Sequence, residues 1–280
     1  MSDLQIFGCP LDSTSVAALE SRFAADGIDA LVVPAADPTG TGLWGLLPPW
    51  LAALALPPEQ TAAIVLRRAE PVPPSDVGRT AYDLACAGRL AVATDLQAGE
   101  RTLLLPALTP REAPALPAWQ RRAIDDIGTR CAAGHDDDVA ALQAGLLQIA
   151  DRLEDSHSRS QGVEGLGARR AGDYWHAVHH RREPDYGNAR YWFRRVGPHP
   201  VLRELAADAE SLAASMPVPR EALSELVSAG QLDPLAFVDL AEHCPRTRDA
   251  SLTAFAEALQ FREMLRLLAA TARDAEALQG

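Results

Sequence analysis

Three histidines, His157, His176 and His180, have the side-chain type and spacing that a divalent-metal centre needs. His176 and His180 stand four apart, which on a helix places both on one face about 6 Å apart in rise. Two imidazoles so spaced can ligate one ion. His157 lies four residues beyond Leu153, in line with Leu142, Leu146 and Ile149 at spacings of 4, 3 and 4. That stripe predicts an inward-facing ring and makes His157 the third ligand. Glu183 sits one turn past His180, but about 10 Å of rise separates it from His176, too far for those three to share one ion. Asp155, next to His157, is expected to orient an imidazole or to ligate directly. Three nitrogens, a carboxylate and room for water suit Zn or non-haem Fe. With Glu183 or Asp155 handling protons, hydrolysis is the expected reaction class, since it needs nothing further. A non-haem iron oxidation is compatible with the same ligands. Without the Glu of an H-E-x-x-H motif, the same pair also fits two buried structural histidines.

The surroundings of these rings are unusual. Residues 173–197 hold three of the four Tyr, two of the five Trp, three of the seven His and five of the 26 basic residues. A helical scaffold is built more economically from Leu and Ala, so this density predicts a site. Arg181, Arg182, Arg194 and Arg195 are expected to grip an anionic group bidentately. Trp175, Tyr186, Asn188, Tyr191 and Trp192 would line the pocket around a small anionic molecule. One alternative is a non-catalytic module binding an anionic ligand or protein partner, with structural histidines. Another is an interhelix staple, in which Glu183 and Asp185 simply pair with these arginines.

The run Tyr174-Trp-His-Ala-Val-His-His-Arg-Arg-Glu-Pro-Asp-Tyr-Gly-Asn-Ala-Arg-Tyr-Trp-Phe-Arg-Arg-Val-Gly-Pro-His-Pro200 resembles a family of bacterial and fungal proteins. Its pattern is W-H-x-x-x-H-R-R-E-x-D-Y-x-N-A-x-Y-W-x-R-R-x-G-x-H-P. Asp155–Gln161, Phe237–Glu242 and Leu259–Glu263 are similar to its flanking motifs, so the resemblance spans roughly residues 140–270. It implies which positions matter and implies no activity. Cys244-Pro-Arg departs from the pattern and suggests that the helix after Phe237 is cut short.

These residues must be positioned by a mainly α fold: a helical domain over 111–280, preceded by a smaller α/β region over 1–110. Asp173 is expected to cap one helix and Asn188 the next, with Pro184-Asp-Tyr-Gly turning between them. The Gly162–Gly167 loop reads as a linker or a lid. Further helices are predicted after Pro219, after Asp233-Pro234 and from about Arg248 to Ala277. In the first region Ile28–Pro34, Thr61–Arg67 and Arg89–Asp95 read as strands. The last is expected to form a hairpin with Arg101–Pro106, and Ser75–Gly88 to form a helix.

Composition narrows the chemistry. Net charge is −12 over 280 residues, which argues against broad nucleic-acid or anionic-membrane binding. All 26 basic residues are arginine, so Schiff-base, pyridoxal-phosphate and P-loop lysine chemistry is excluded. No secretory signal pattern opens the chain, and Cys9, Cys86, Cys131 and Cys244 form no C-x-x-C pair. Reduced, mostly buried thiols and a cytoplasmic location are expected. A thiol nucleophile at Cys244 is disfavoured, because neighbours on a helix diverge from His243 by about 100°.

Overall fold

The computed structural model describes residues 4–8, 11, 13–34, 42–55, 62–93, 105–110, 115–131, 135–218 and 220–276. The described elements run β1 (Leu4–Gly8), α1 (Ser13–Asp26), β2 (Ala30–Pro34), α2 (Pro49–Ala55), β3 (Ala62–Arg67), α3 (Val77–Cys86), β4 (Leu90–Val92) and α4 (Ala118–Asp125). They continue with α5 (Asp136–Ile149), α6 (Leu153–Gln161), α7 (Ala171–Arg182), α8 (Tyr186–Val196), α9 (Val201–Ser215) and α10 (Arg220–Leu226). A short β5 (Val227–Ser228) and β6 (Gln231–Leu232), then α11 (Pro234–Thr247) and α12 (Ala250–Glu276), complete the order. The fold is mainly α with a small α/β region at the N-terminus. Two compact units divide the chain: residues 1–104 with 118–120, and residues 105–117 with 121–280.

The first unit holds a sheet in the order β1-β3-β2-β4, antiparallel except for the parallel β2–β4 pair. The two inner strands bury nearly continuous aliphatic runs, Leu31–Val33 and Ala63–Leu66, as expected for strands covered on both faces. The strands predicted at 28–34, 61–67 and 89–95 are thus present, with the last trimmed to three residues. β1 was not predicted; it is an edge strand with only partial burial, and so carries little hydrophobic signal. Its Gln5 instead bonds the Glu70 carbonyl and the Val72 N–H. The expected hairpin with Arg101–Pro106 falls mainly outside the described residues. α3 starts from a 3₁₀ turn over Pro74–Asp76 with no side-chain cap from Ser75, and ends before Gly88, whose φ of +71° suits glycine.

In the second unit, α7 is the organising element. All twelve of its residues are buried, although it carries three His, two Arg and an Asp. A helix enclosed on every side must find partners for each polar group, and its neighbours supply most of them. α12 contributes Glu263, which takes Arg181 and the Tyr174 hydroxyl, and Thr271, which accepts from Trp175 Nε1 at 3.3 Å. The C-terminal end of α5 contributes the Gln148 carbonyl, which accepts from Arg182 at 2.6 Å; Asp151, just beyond it, pairs with Arg182 as well. Gly145 in α5 lets the Trp175 ring lie flush, since a Cβ there would come within 2.5 Å of it.

Several local expectations are corrected. The stripe from Leu142 does not run unbroken to His157. The chain leaves the helix after Ile149, passes Asp151 at φ +56°, and restarts at Leu153. α7 begins at Ala171, and Asp173 accepts from the Gly165 N–H at 2.8 Å rather than capping its own helix. Asp185, not Asn188, caps α8: it accepts both the Asn188 backbone N–H and its side-chain amide. The glycine loop between α6 and α7 is tied down by that Asp173 bond and by Ala168 N–H donating to Asp138 at 2.7 Å. α11 is capped by Asp233, as predicted, but it runs through Pro245 to Thr247 rather than stopping at Cys244. Proline cannot donate to the carbonyl four residues back, which is that of Ala241. That carbonyl accepts the Tyr186 hydroxyl from α8 instead, at 3.3 Å. Cys86, Cys131 and Cys244 are free thiols; Cys244 is buried while His243 is exposed, so the two form no catalytic pair. Among the described residues no helix is long and apolar enough to cross a membrane.

Candidate metal centre

Two helices bring the histidines together. α6 packs tightly on α5 because Ser156, fully buried, donates to the Ala144 carbonyl at 2.9 Å. One residue on, His157 turns toward α7. α7 presents His176, His179 and His180, with Glu183 at its C-terminal boundary. His157 Nε2 lies 2.9 Å from His176 Nε2. Ligating atoms of His157, His176 and His180 all lie within 4.8 Å of one another, so these residues could hold a metal ion. Nitrogens around a tetrahedral zinc are about 3.3 Å apart, given Zn–N bonds near 2.05 Å. A modest opening of the His157–His176 pair reaches that value.

His179 is a fourth ring that the sequence reading passed over. It is fully buried and stacked on His157, with centroids 4.4 Å apart and planes 4° from parallel. The signal was available, since 176, 179, 180 and 183 fall on one helical face. Attention to the four-residue spacing alone hid it. Glu183 serves both later rings: one oxygen lies 2.5 Å from His180 Nδ1 and the other 3.1 Å from His179 Nε2. His179, His180 and Glu183 form a second group whose ligating atoms lie within 4.8 Å of each other.

Electrostatics keep the inner rings neutral. Burial, followed by the nearby His180, His157 and Arg195, pulls the His176 pKa down to about 3. Burial and then His157, His180, His176 and Arg182 do the same for His179, also to about 3. Neutral rings offer lone pairs. His176 Nδ1 and both His179 nitrogens are buried without a hydrogen-bond partner. Leaving such groups unsatisfied costs roughly 1–3 kcal/mol each.

The remaining predicted site residues divide sharply. Trp192 stacks on His176 at 4.0 Å, Arg195 lies over Trp192 at 4.6 Å, and Tyr191 accepts from Arg195 at 3.2 Å. These three join the histidines. Arg181 does not: it has no exposed surface, pairs with Glu263 and lies over the Phe237 ring. Arg182 is equally enclosed and committed to Asp151. Trp175 is core, Tyr186 is taken by Ala241, and Asn188 is taken by Asp185. Arg194 is exposed and borders a separate groove with Gly197, Leu202 and the β5–β6 hairpin. Asp155 is bound by Arg121 and Arg152, which hold its carboxyl below the usual range despite partial burial. It is therefore a helix-start clasp, already committed to two arginines. His199 is buried against Tyr174 and accepts the Val201 N–H.

No family model, curated protein or solved structure matches this chain.

Proposed function

We propose that the second unit is a divalent-metal hydrolase whose ion is held by His157, His176 and His180. The observation that carries this reading is the convergence of three imidazoles from two helices within ligation reach, with His176 held neutral by burial and His180 held by the Glu183 carboxylate. Zinc or ferrous iron suits an imidazole set. A bound ion supplies Lewis acidity toward a carbonyl or phosphoryl oxygen. Glu183 fixes the His180 ring through Nδ1, the arrangement by which carboxylates orient metal-ligating imidazoles. Its side chain is 30% exposed, so it can also accept a proton from water and pass it to solvent. Arg195, spread over Trp192 and partly exposed, is the cation placed to hold an anionic group of a small substrate.

The test is metal analysis of the purified protein alongside its His157→Gln and His176→Gln variants. About one equivalent of zinc or iron in the parent chain, lost in both variants, supports the centre. Hydrolysis of nitrophenyl acetate or nitrophenyl phosphate that tracks metal content supports the reaction class. A metal-free protein that cannot be loaded with zinc overturns the reading. The near-complete burial of His176 and His179 then favours a binding module with structural histidines.

A further inference from the structure

The four rings and Glu183 are more than one ion requires. We propose that the cluster has a second metal position, formed by His179, Glu183 and the Nδ1 edge of His180, beside the one on His157, His176 and His180. This inference rests on the metal-centre reading above and deepens it. Three observations support it. The ligating atoms of His179, His180 and Glu183 lie as close together as those of the first set. The parallel stack of His179 on His157 aims their nitrogens along separate lines, so His179 cannot join the point where His157 and His176 meet. His179 is fully buried, and neither of its nitrogens has a hydrogen-bond partner, although Nε2 lies 3.1 Å from Glu183 in a geometry too oblique for such a bond.

His180 links the two positions. An imidazole has nitrogens on opposite edges; Nδ1 faces Glu183 at 2.5 Å, which leaves Nε2 for the first ion. A ring metallated on both edges has no N–H, so filling the second position releases one proton to solvent. An ion there also engages the carboxylate on which proton transfer depends. The second position therefore acts as a brake when metal is in excess. Partial exposure of Glu183 gives that ion a path from water.

The experiment is a zinc titration of the chelator-treated full chain, followed by calorimetry and repeated with cobalt absorption. Two equivalents are expected for the parent protein, the second at least tenfold weaker. Glu183→Gln, at a partly exposed position, and His179→Gln, which keeps volume in the core, should each bind one. Melting curves establish that both are folded. One equivalent in the parent protein overturns the second position and leaves the metal centre standing. Two equivalents in all three proteins also overturn it. No binding at all removes the metal centre itself.

Discussion

The middle and the C-terminal end of α7 are built from the same kind of material, costly polar side chains with little access to water, yet they solve burial differently. At the C-terminal end each guanidinium meets an acidic partner: Arg181 has Glu263, and Arg182 has Asp151. Along the middle, His176, His179 and His180 meet mainly other imidazoles, with Glu183 the single carboxylate ligating group among them. A charge with its counter-ion already in place holds helices together and does not call for another ion. A group of imidazoles with unpartnered nitrogens has capacity left for a cation. The comparison teaches that a dense polar segment can be half scaffold and half site, and that partner identity separates the two halves.

The largest effect should come from the scaffold half. Arg181→Met leaves Glu263 charged in the core without its counter-ion, with the Tyr174 hydroxyl still donating to it, which costs about 3–5 kcal/mol. Urea denaturation should record that loss, while Arg181→Met with Glu263→Gln recovers much of it. A single variant as stable as the parent would dissolve the contrast between the two stretches. On the site half, zinc at 100 times its dissociation constant should raise stability by about 2.7 kcal/mol. The gain should disappear in His176→Gln, as read by the zinc-dependent shift in Tm.

Gly145→Ala tests the packing beneath both halves. The added methyl meets Trp175, so a loss of about 1–3 kcal/mol is expected even though alanine favours helix. Unchanged thermal stability would mean that Trp175 yields easily. A smaller, pH-dependent effect belongs to His199, which burial lowers to about 4. Between pH 6.5 and about 4 the unfolded chain takes up a proton there that the native chain refuses. Stability therefore falls as pH falls through that window. His199→Gln should flatten that limb of the pH–stability curve. The smallest effect is expected for Arg194→Ala, exposed and remote from the rings: within about 0.5 kcal/mol, with zinc binding unchanged.

The helical architecture and the shared face of His176 and His180 were legible because both depend on periodicity, which is local. His157 was picked out by its place after Leu153, but for a reason the structure corrects: a new helix, not a continued stripe, turns it inward. The arginines were misread because charge composition cannot reveal a partner about 80 residues away, as Glu263 is from Arg181. His179 was missed although it shares the helical face of His176, His180 and Glu183, because a spacing of three carries the same meaning as a spacing of four and only the latter was weighed. Asp155 looked like a ligand from its adjacency to His157, although Arg121 and Arg152 claim it.

Pro245 gives the exposed start of α8 an anchor of unusual origin. By withholding one N–H from α11, it leaves the Ala241 oxygen free for a phenol on another helix. Restoring that N–H with alanine would mend one helix and compete with its neighbour for the same oxygen. A local imperfection thus becomes one tether, beside the Arg190 ion pairs with Asp239 and Glu242, for the segment that carries Trp192 to the imidazoles.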